Sequence, residues 1–269
     1  MRAFLIHFIF DFKSGMRDKS MLLLNYLFPL GFYAMMGFVM PQINPLFKEN
    51  MIPSMAIFSI LGSTILGMPN PLVGGREAGI YRSYKINGVP AISILTIPAA
   101  ATIIHSTIVG IIILITAPML FKAKLPVNLG GFILVFLSMS VACAGLGLLI
   151  GVIAKNNKVI VLWSQLIFLP TMLIGGLMIP ASMLPLSISK VGRFLPSTYA
   201  MNAMETLALG KESAFSPGLS IIILLAGGVL SFFLSVYLFR WDNNNSSKAR
   251  NPMLAILALS TYLLGMLFL

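Results

Sequence analysis

The chain has 269 residues, 58% of them apolar and only 9% charged, with a mean hydropathy of +0.96. A soluble domain carries about 25% charged residues, so these figures nearly exclude a water-soluble enzyme, and they exclude intrinsic disorder. The net charge of +11 would suggest nucleic acid in a soluble protein; here the basic residues sit mostly between apolar runs, which points to the membrane surface and not to nucleic acid, while one cysteine, Cys143, rules out a disulfide framework or a multi-cysteine metal site.

The first 20 residues do not form a cleavable signal peptide, because Asp11 and Lys13 interrupt any apolar core. Phe4, Leu5, Phe8, Ile9 and Phe12 fall on one helical face, with His7, Asp11 and Ser14 elsewhere. That pattern predicts an amphipathic helix over 1–20, lying in the membrane interface. Seven stretches free of Asp, Glu, Lys and Arg follow: 20–47, 50–75, 86–121, 125–154, 159–189, 213–239 and 251–269. A bilayer core of about 30 Å takes roughly 20 apolar helical residues to cross, so each is long enough for one span. The alternation that a membrane β-barrel requires is absent. The fold class is therefore all-α integral membrane protein, with six core spans over 21–240 and a seventh at the C-terminus.

Two of the stretches exceed one span. Asn87-Gly88 and Pro90 mark a turn before the third helix. Gly175-Gly176 and Pro180 end the fifth helix, and Pro185 follows. This apolar but broken tail predicts a short helix or a re-entrant element over 176–212, tolerable only where protein or water satisfies its backbone. Residues 240–252 form the clearest polar linker, so 241–269 reads as a linker plus an extra helix.

Lys and Arg set the expected orientation. With the N-terminus in the cytoplasm, the inside segments hold 12 basic residues and the outside ones 6. The expectation is a multi-pass protein of the cell membrane with its N-terminus inside. Lys122 and Lys124 break the rule locally. No internal repeat is visible, which argues against the inverted-repeat architecture of many secondary transporters.

Several chemistries are missing from the sequence. A phosphate-cradling loop G-x-x-x-x-G-K-S/T does not occur; Gly210-Lys211 lacks the upstream glycine. His7 and His105 have no neighbours at metal-ligand spacing, so no metal site and no catalytic residues are expected. The seven acids fall in loops or at helix ends, which leaves no intramembrane carboxylate for proton or sodium coupling. An energy source would therefore lie in another subunit.

One loop carries a positive signal. Gly74-Gly75-Arg76-Glu77-Ala78-Gly79-Ile80-Tyr81-Arg82-Ser83-Tyr84-Lys85 is short, basic and aromatic. At helical spacing Ile80 pairs with Tyr84 and Tyr81 with Lys85. Such a helix could present tyrosines and Arg82 to a soluble partner, since Tyr and Arg concentrate interface energy. A loop that only orients the protein would have the same composition.

Arg76-Glu77-x-Gly79, then Tyr81-Arg82 and Gly88-Val89-Pro90, resembles the E-R-E-x-G…P-V/L stretch of ABC-2 type transporter permeases. Gly75 stands where many members carry Glu. Gly175-Gly176-Leu177-Met178-Ile179-Pro180, then Leu184-Pro185 and Pro196-Ser197-Thr198-Tyr199, is similar to the family's G-x-x-x-P…LP…P-x-S/T-Y/H signature after the fifth span. The amphipathic N-terminus resembles the family's interfacial connecting helix. The resemblance covers about residues 1–240; the extra span 251–269 lies beyond the usual six.

The resemblance implies the six-helix ABC-2 fold of type V exporters. It implies a permease subunit that pairs with a second permease, identical or related, and docks a separate cytoplasmic ABC ATPase. ATP and magnesium would be bound by that partner and none by this chain. Loop 74–88 would be the coupling element, with Arg76, Glu77, Gly79, Tyr81, Arg82 and Tyr84 at the contact. Pro180, Pro185, Pro196 and Tyr199 would belong to an external gate. Asn70, His105, Gln165 and Thr171 are polar groups within spans and weak candidates for the cargo path. Few aromatics pair in the spans, so a hydrophobic or amphipathic cargo (a drug, an antibiotic or a lipid-like molecule) is favoured over a polysaccharide precursor. Sodium export, an ATP-independent transporter or channel, and a membrane enzyme or assembly factor remain alternatives at this stage.

Overall fold

The computed structural model describes residues 2–45, 47–179, 183–212, 214–242 and 251–268. Every regular element among them is a helix. Six helices are long and apolar enough to cross a membrane: Lys19–Ile43, Phe47–Glu77, Ala91–Phe121, Leu129–Ile153, Asn157–Ile174 and Pro217–Leu238. An N-terminal helix, Arg2–Arg17, precedes them and packs on the third span.

The second and fourth spans form the core, and the others surround them. Every residue from Met51 to Ile65 is buried, as expected for a helix apolar on all sides. Three of its four hydroxyls are satisfied within the helix, and the fourth, Ser54, donates to Met201 Sδ at 3.9 Å. Ser59 donates to the Ala56 carbonyl at 2.7 Å, Ser63 to Ser59 at 3.0 Å and Thr64 to Ile60 at 2.6 Å. In hydrocarbon no water would do this, so the backbone must.

Glycines let the fourth span approach its neighbours. A Cβ on Gly145 would collide with the Gly228 carbonyl of the sixth span, and one on Gly147 with the Thr64 carbonyl of the second. Gly151 faces Leu72, 2.7 Å from where its Cβ would be. Backbone contact of this kind drives helix association where lipid offers no hydrophobic contrast.

Two spans are locally underwound into wider π-helix, at Leu23–Leu27 and Gly62–Gly67, and these turns face each other. Asn25 lies between them, fully buried, with neither amide atom bonded. Gly67 makes room for it; a Cβ there would sit 3.1 Å from Asn25 Oδ1.

Loop 77–90 and the chain exits at 154–156 and 239–242 share one end of the bundle with the N-terminal helix; this is the near end. At the far end, Glu49 bridges Lys124 at 2.6 Å and Lys211 at 3.0 Å. After the fifth span the chain bends at Gly176, whose φ is +85°. A short helix Leu186–Gly192 follows, then Pro196–Leu207. The start of that helix lies deep, with Ser197 bonded to the Thr171 carbonyl at 3.2 Å. Its end returns to the far surface, where Asn128 N–H meets the Ala208 carbonyl at 3.1 Å.

The C-terminal stretch is shorter in residues than a standard span, and it is wound differently from the expected seventh helix. Pro252–Leu259 is 3₁₀ and Ser260–Phe268 is α. The tighter winding rises about 2.0 Å per residue and so covers about 16 Å. The α part adds about 14 Å. Together they match a hydrocarbon core of about 30 Å. The stretch packs on the sixth span, with Tyr262 fully buried against Gly227.

Candidate functional site

The near-end loop is built as an elbow. The second span runs on to Glu77, and Gly79 turns the chain with φ +72°. The helix Ile80–Ile86 follows, and Gly88 closes it with φ +73°. Only glycine adopts such angles without strain, so the role of Gly79 is conformational.

The structure corrects the expected contact set. Arg76 is only 5% exposed and does not face outward. Its Nη1 donates to the Val152 carbonyl at 2.8 Å and its Nη2 to the Ala154 carbonyl. These oxygens belong to the end of the fourth span, where helix carbonyls lack internal partners. Arg76 therefore ties the near ends of the two core spans together.

Tyr81 is also turned inward, 7% exposed. Its ring packs beside Gly75, where a Cβ would come within 2.9 Å of the phenol. That contact gives the glycine at this position a reason: a longer side chain would displace the ring. Tyr81 further meets Phe239 at 5.5 Å, at the end of the sixth span. Tyr84 is half-buried and meets His7 of the N-terminal helix at 5.5 Å, edge to face. The exposed charged and large apolar residues of the elbow are Glu77, Ile80, Arg82, Lys85 and Ile86, with Ala78, Gly79, Ser83, Asn87 and Gly88 exposed between them. Arg82, Lys85 and Ile86 form one wall of a groove of about 630 Å³; Phe239, Arg240, Trp241 and Asp242 form the other. The partners Arg240 and Trp241 escaped the sequence reading. An Arg-Trp pair directly after the last core span was the available signal.

The far-end candidates divide in the same way. Pro180 lies outside the described residues. Pro185 is exposed at the start of Leu186–Gly192. Pro196 is buried and opens its helix, where a missing N–H costs nothing. Tyr199 is fully buried and its hydroxyl donates to the Arg193 carbonyl at 2.7 Å. Asn202, missed in sequence, clamps the following loop. It donates to the Phe215 carbonyl at 2.9 Å and accepts from the N–H of Ala214 at 3.1 Å and of Phe215 at 3.3 Å.

The four polar residues within spans do not converge. Gln165 is exposed on the outer face of the fifth span, and Thr171 bonds its own helix at the Ile167 carbonyl, 2.6 Å away. Asn70 and His105 do share a site, a cavity of about 350 Å³ beneath the N-terminal helix. The imidazole Nδ1 lies 2.6 Å from the Tyr26 hydroxyl, and Phe12 stacks on the ring at 4.4 Å.

The N-terminal helix is turned differently from its sequence pattern. Leu5, Ile6, Ile9 and Phe10 are exposed, whereas His7, Asp11, Phe12 and Gly15 face the bundle. Burial raises the Asp11 carboxyl above its ordinary value of 3.8. An acid raised by folding holds its proton more tightly in the fold than in the unfolded chain. Its charge therefore costs stability once the pH passes 3.8, and the cost grows up to the folded value. Asp11→Asn should flatten that part of the pH profile and leave stability at neutral pH equal or higher. Thermal unfolding from pH 4 to 8 would show it; a clear loss of stability at pH 7 would contradict it. Among the described residues no cluster of three or more His, Cys, Asp or Glu is placed to hold a metal ion.

The family model of the ABC-2 type transporters matches residues 2–209. The chain belongs to that family. It is similar to "Putative transport permease YvfS" of Bacillus subtilis (strain 168), with 24% identity over 238 residues, covering 86% of this chain and 95% of the relative. No solved structure matches the chain.

Proposed function

We propose, from membership of the ABC-2 transporter family, that the chain is the permease subunit of an ATP-driven exporter. The near end faces the cytoplasm, a separate ABC ATPase docks there, and a second permease completes the pathway. The cargo is hydrophobic or amphipathic and leaves the cell. The twelve-to-six distribution of Lys and Arg supports that orientation. The missing phosphate loop supports an external ATPase.

The observation that carries the reading is the elbow. Its outer face is basic and exposed beside a groove. Its inner face is fastened to three other elements: the fourth span through Arg76, the sixth through Tyr81 and the N-terminal helix through Tyr84. A push on the outer face therefore reaches the core spans through side-chain contacts. Arg82 and Lys85 suit an acidic cleft, and Ile86, 80% exposed, suits an apolar pocket within it. A second permease has its own support. Gln165 stands on an exposed apolar face with Leu162, Leu166 and Leu169. An amide facing lipid is costly, and burial against another subunit would relieve it.

The test is co-purification of the tagged chain with the ABC ATPase expressed beside it, followed by ATP-dependent uptake of an amphipathic dye into inside-out vesicles. Arg82→Glu should lower ATPase recovery by about tenfold, since a reversed charge at an interface costs over 1 kcal/mol. Yield and thermal transition of the permease should not change. Equal recovery with mutant and parent would remove the elbow as the docking site. Full-speed uptake without nucleotide would remove the ATP-driven reading altogether.

A further inference from the structure

The cavity beneath the N-terminal helix has an unusual electrostatic character for this chain. The protein carries 18 basic residues against 7 acidic ones. Yet two of the seven acids, Asp11 and Asp18, line this one cavity, and among the described residues no lysine or arginine does. The rest of the wall is mixed. Asn70 and Thr102 are polar, and Met21, Met68 and Pro98 are apolar.

The two acids are not equivalent. Asp18 is already used, accepting from the N–H of Ser20 at 2.8 Å and of Met21 at 3.0 Å as the cap of the first span. Asp11 has no hydrogen-bond or ion-pair partner among the described residues. His7, one turn earlier, is the nearest ionisable neighbour on its own helix. A half-buried carboxylate without a partner is expensive.

A second group in the cavity is unsatisfied independently. His105 is 1% exposed, and its Nε2 has no partner. The nitrogen faces Gly15, where a Cβ would lie 3.1 Å away, and both residues line the cavity. If Nδ1 accepts from the Tyr26 hydroxyl, Nε2 carries an N–H with no acceptor; in the other tautomer it is a lone pair with no donor. Either way a buried polar atom is left without a partner at the wall of a space lined by two carboxylates. Proteins satisfy nearly all such atoms, so each exception calls for an explanation, and a bound group is one that fits an atom at a cavity wall.

We propose that this cavity binds a small amphipathic monocation, its charged head beside Asp11 and its polar edge at His105 Nε2, with its apolar body against Met21, Met68 and Pro98. The volume of about 350 Å³ lies within the range of small-molecule pockets. The inverted N-terminal helix fits this use: its apolar side chains meet lipid and its acid meets the cavity. A ligand arriving along the membrane interface would reach the cavity at the edge of that helix.

The test needs neither ATPase nor transport, so its failure would leave the permease reading untouched. The probe is ethidium, titrated into the full chain in phosphatidylcholine nanodiscs and followed by fluorescence anisotropy. Saturable binding is expected, above that of empty nanodiscs. Asp11→Asn should weaken it by about tenfold or more, because a charge-assisted contact is lost, while its thermal transition holds or rises. Asp11→Glu should restore binding to within about threefold of the parent. His105→Phe, which keeps the stack on Phe12 but removes both nitrogens, should also weaken binding, by about threefold or more. Absence of saturable binding to the parent would overturn the proposal. So would equal affinity in the Asp11→Asn chain, or, if that variant loses its thermal transition, equal affinity in the His105→Phe chain.

Discussion

Arg76→Ala is expected to destabilise the permease severely while Arg82→Ala leaves its stability unchanged. The two arginines lie six positions apart in one basic loop and look alike in sequence. Arg76 is buried and donates to the carbonyls of Val152 and Ala154. Truncation removes two charge-assisted hydrogen bonds, each worth about 1.5–3 kcal/mol. It also leaves the carbonyls at the end of the fourth span without partners. Since water can replace part of the loss near the membrane surface, the expected net cost is about 2–4 kcal/mol. For a chain of this size that corresponds to a fall in Tm of about 5–15 °C. Lysine should recover only part of this, because its single nitrogen does not present the rigid planar fork whose two nitrogens reach the two carbonyls separately. Differential scanning fluorimetry of the three variants in one detergent reads the outcome. A parent-like Tm for Arg76→Ala would mean that the tie between the second and fourth spans carries no weight.

That contrast shows what kind of information the sequence holds. Hydropathy located all six spans, because crossing hydrocarbon demands about 20 apolar residues whatever the neighbours are. The elbow was also legible, since Gly79 and Gly88 bracket a short polar stretch between two spans. Which face of the elbow looks outward was not legible. Helical spacing pairs Tyr81 with Lys85, but the presence of Gly75 across from Tyr81 decides that the ring packs inward. That pairing exists only once the chain has turned.

The N-terminal helix gave the opposite difficulty. Its apolar residues predict a face, and in water that face would be buried. At a membrane interface the bilayer would itself be an apolar partner, which would account for a helix whose Leu5 and Phe10 are exposed from the protein while Asp11 faces it. The basic loops show a similar limit. Lys124 breaks the positive-inside count, yet it and Lys211 share the Glu49 carboxylate across two loops. Such a pairing spans 75 residues of sequence or more and has no local signature. Asn25 and Asn202 are comparable: both are buried amides, one without partners and one fully bonded, and nothing in their flanking residues distinguishes them.

Gly147→Leu should abolish the folded permease, whereas Gly31→Leu should be tolerated. Both glycines lie within membrane helices. Gly31 has no atom within 4 Å of the position a Cβ would take. A side chain there would meet no described part of the chain, and replacing glycine within a helix recovers about 0.5–1 kcal/mol of backbone entropy. Gly147 instead faces the Thr64 carbonyl. The obstructing atom is backbone, in the most buried helix of the bundle, so no rotamer change can make room. Overpacking in a core that can relax costs about 1–3 kcal/mol; here the second and fourth spans must separate, which also pulls Gly151 from Leu72 and Arg76 from the Val152 carbonyl. The expected loss exceeds about 4 kcal/mol, a large share of the stability of any single domain. Size-exclusion recovery from membranes reads both variants: a monodisperse peak for Gly31→Leu and none for Gly147→Leu. A well-folded Gly147→Leu chain would show that the core spans are not in backbone contact, and the route by which the elbow reaches the rest of the bundle would then have to run through the sixth span and the N-terminal helix.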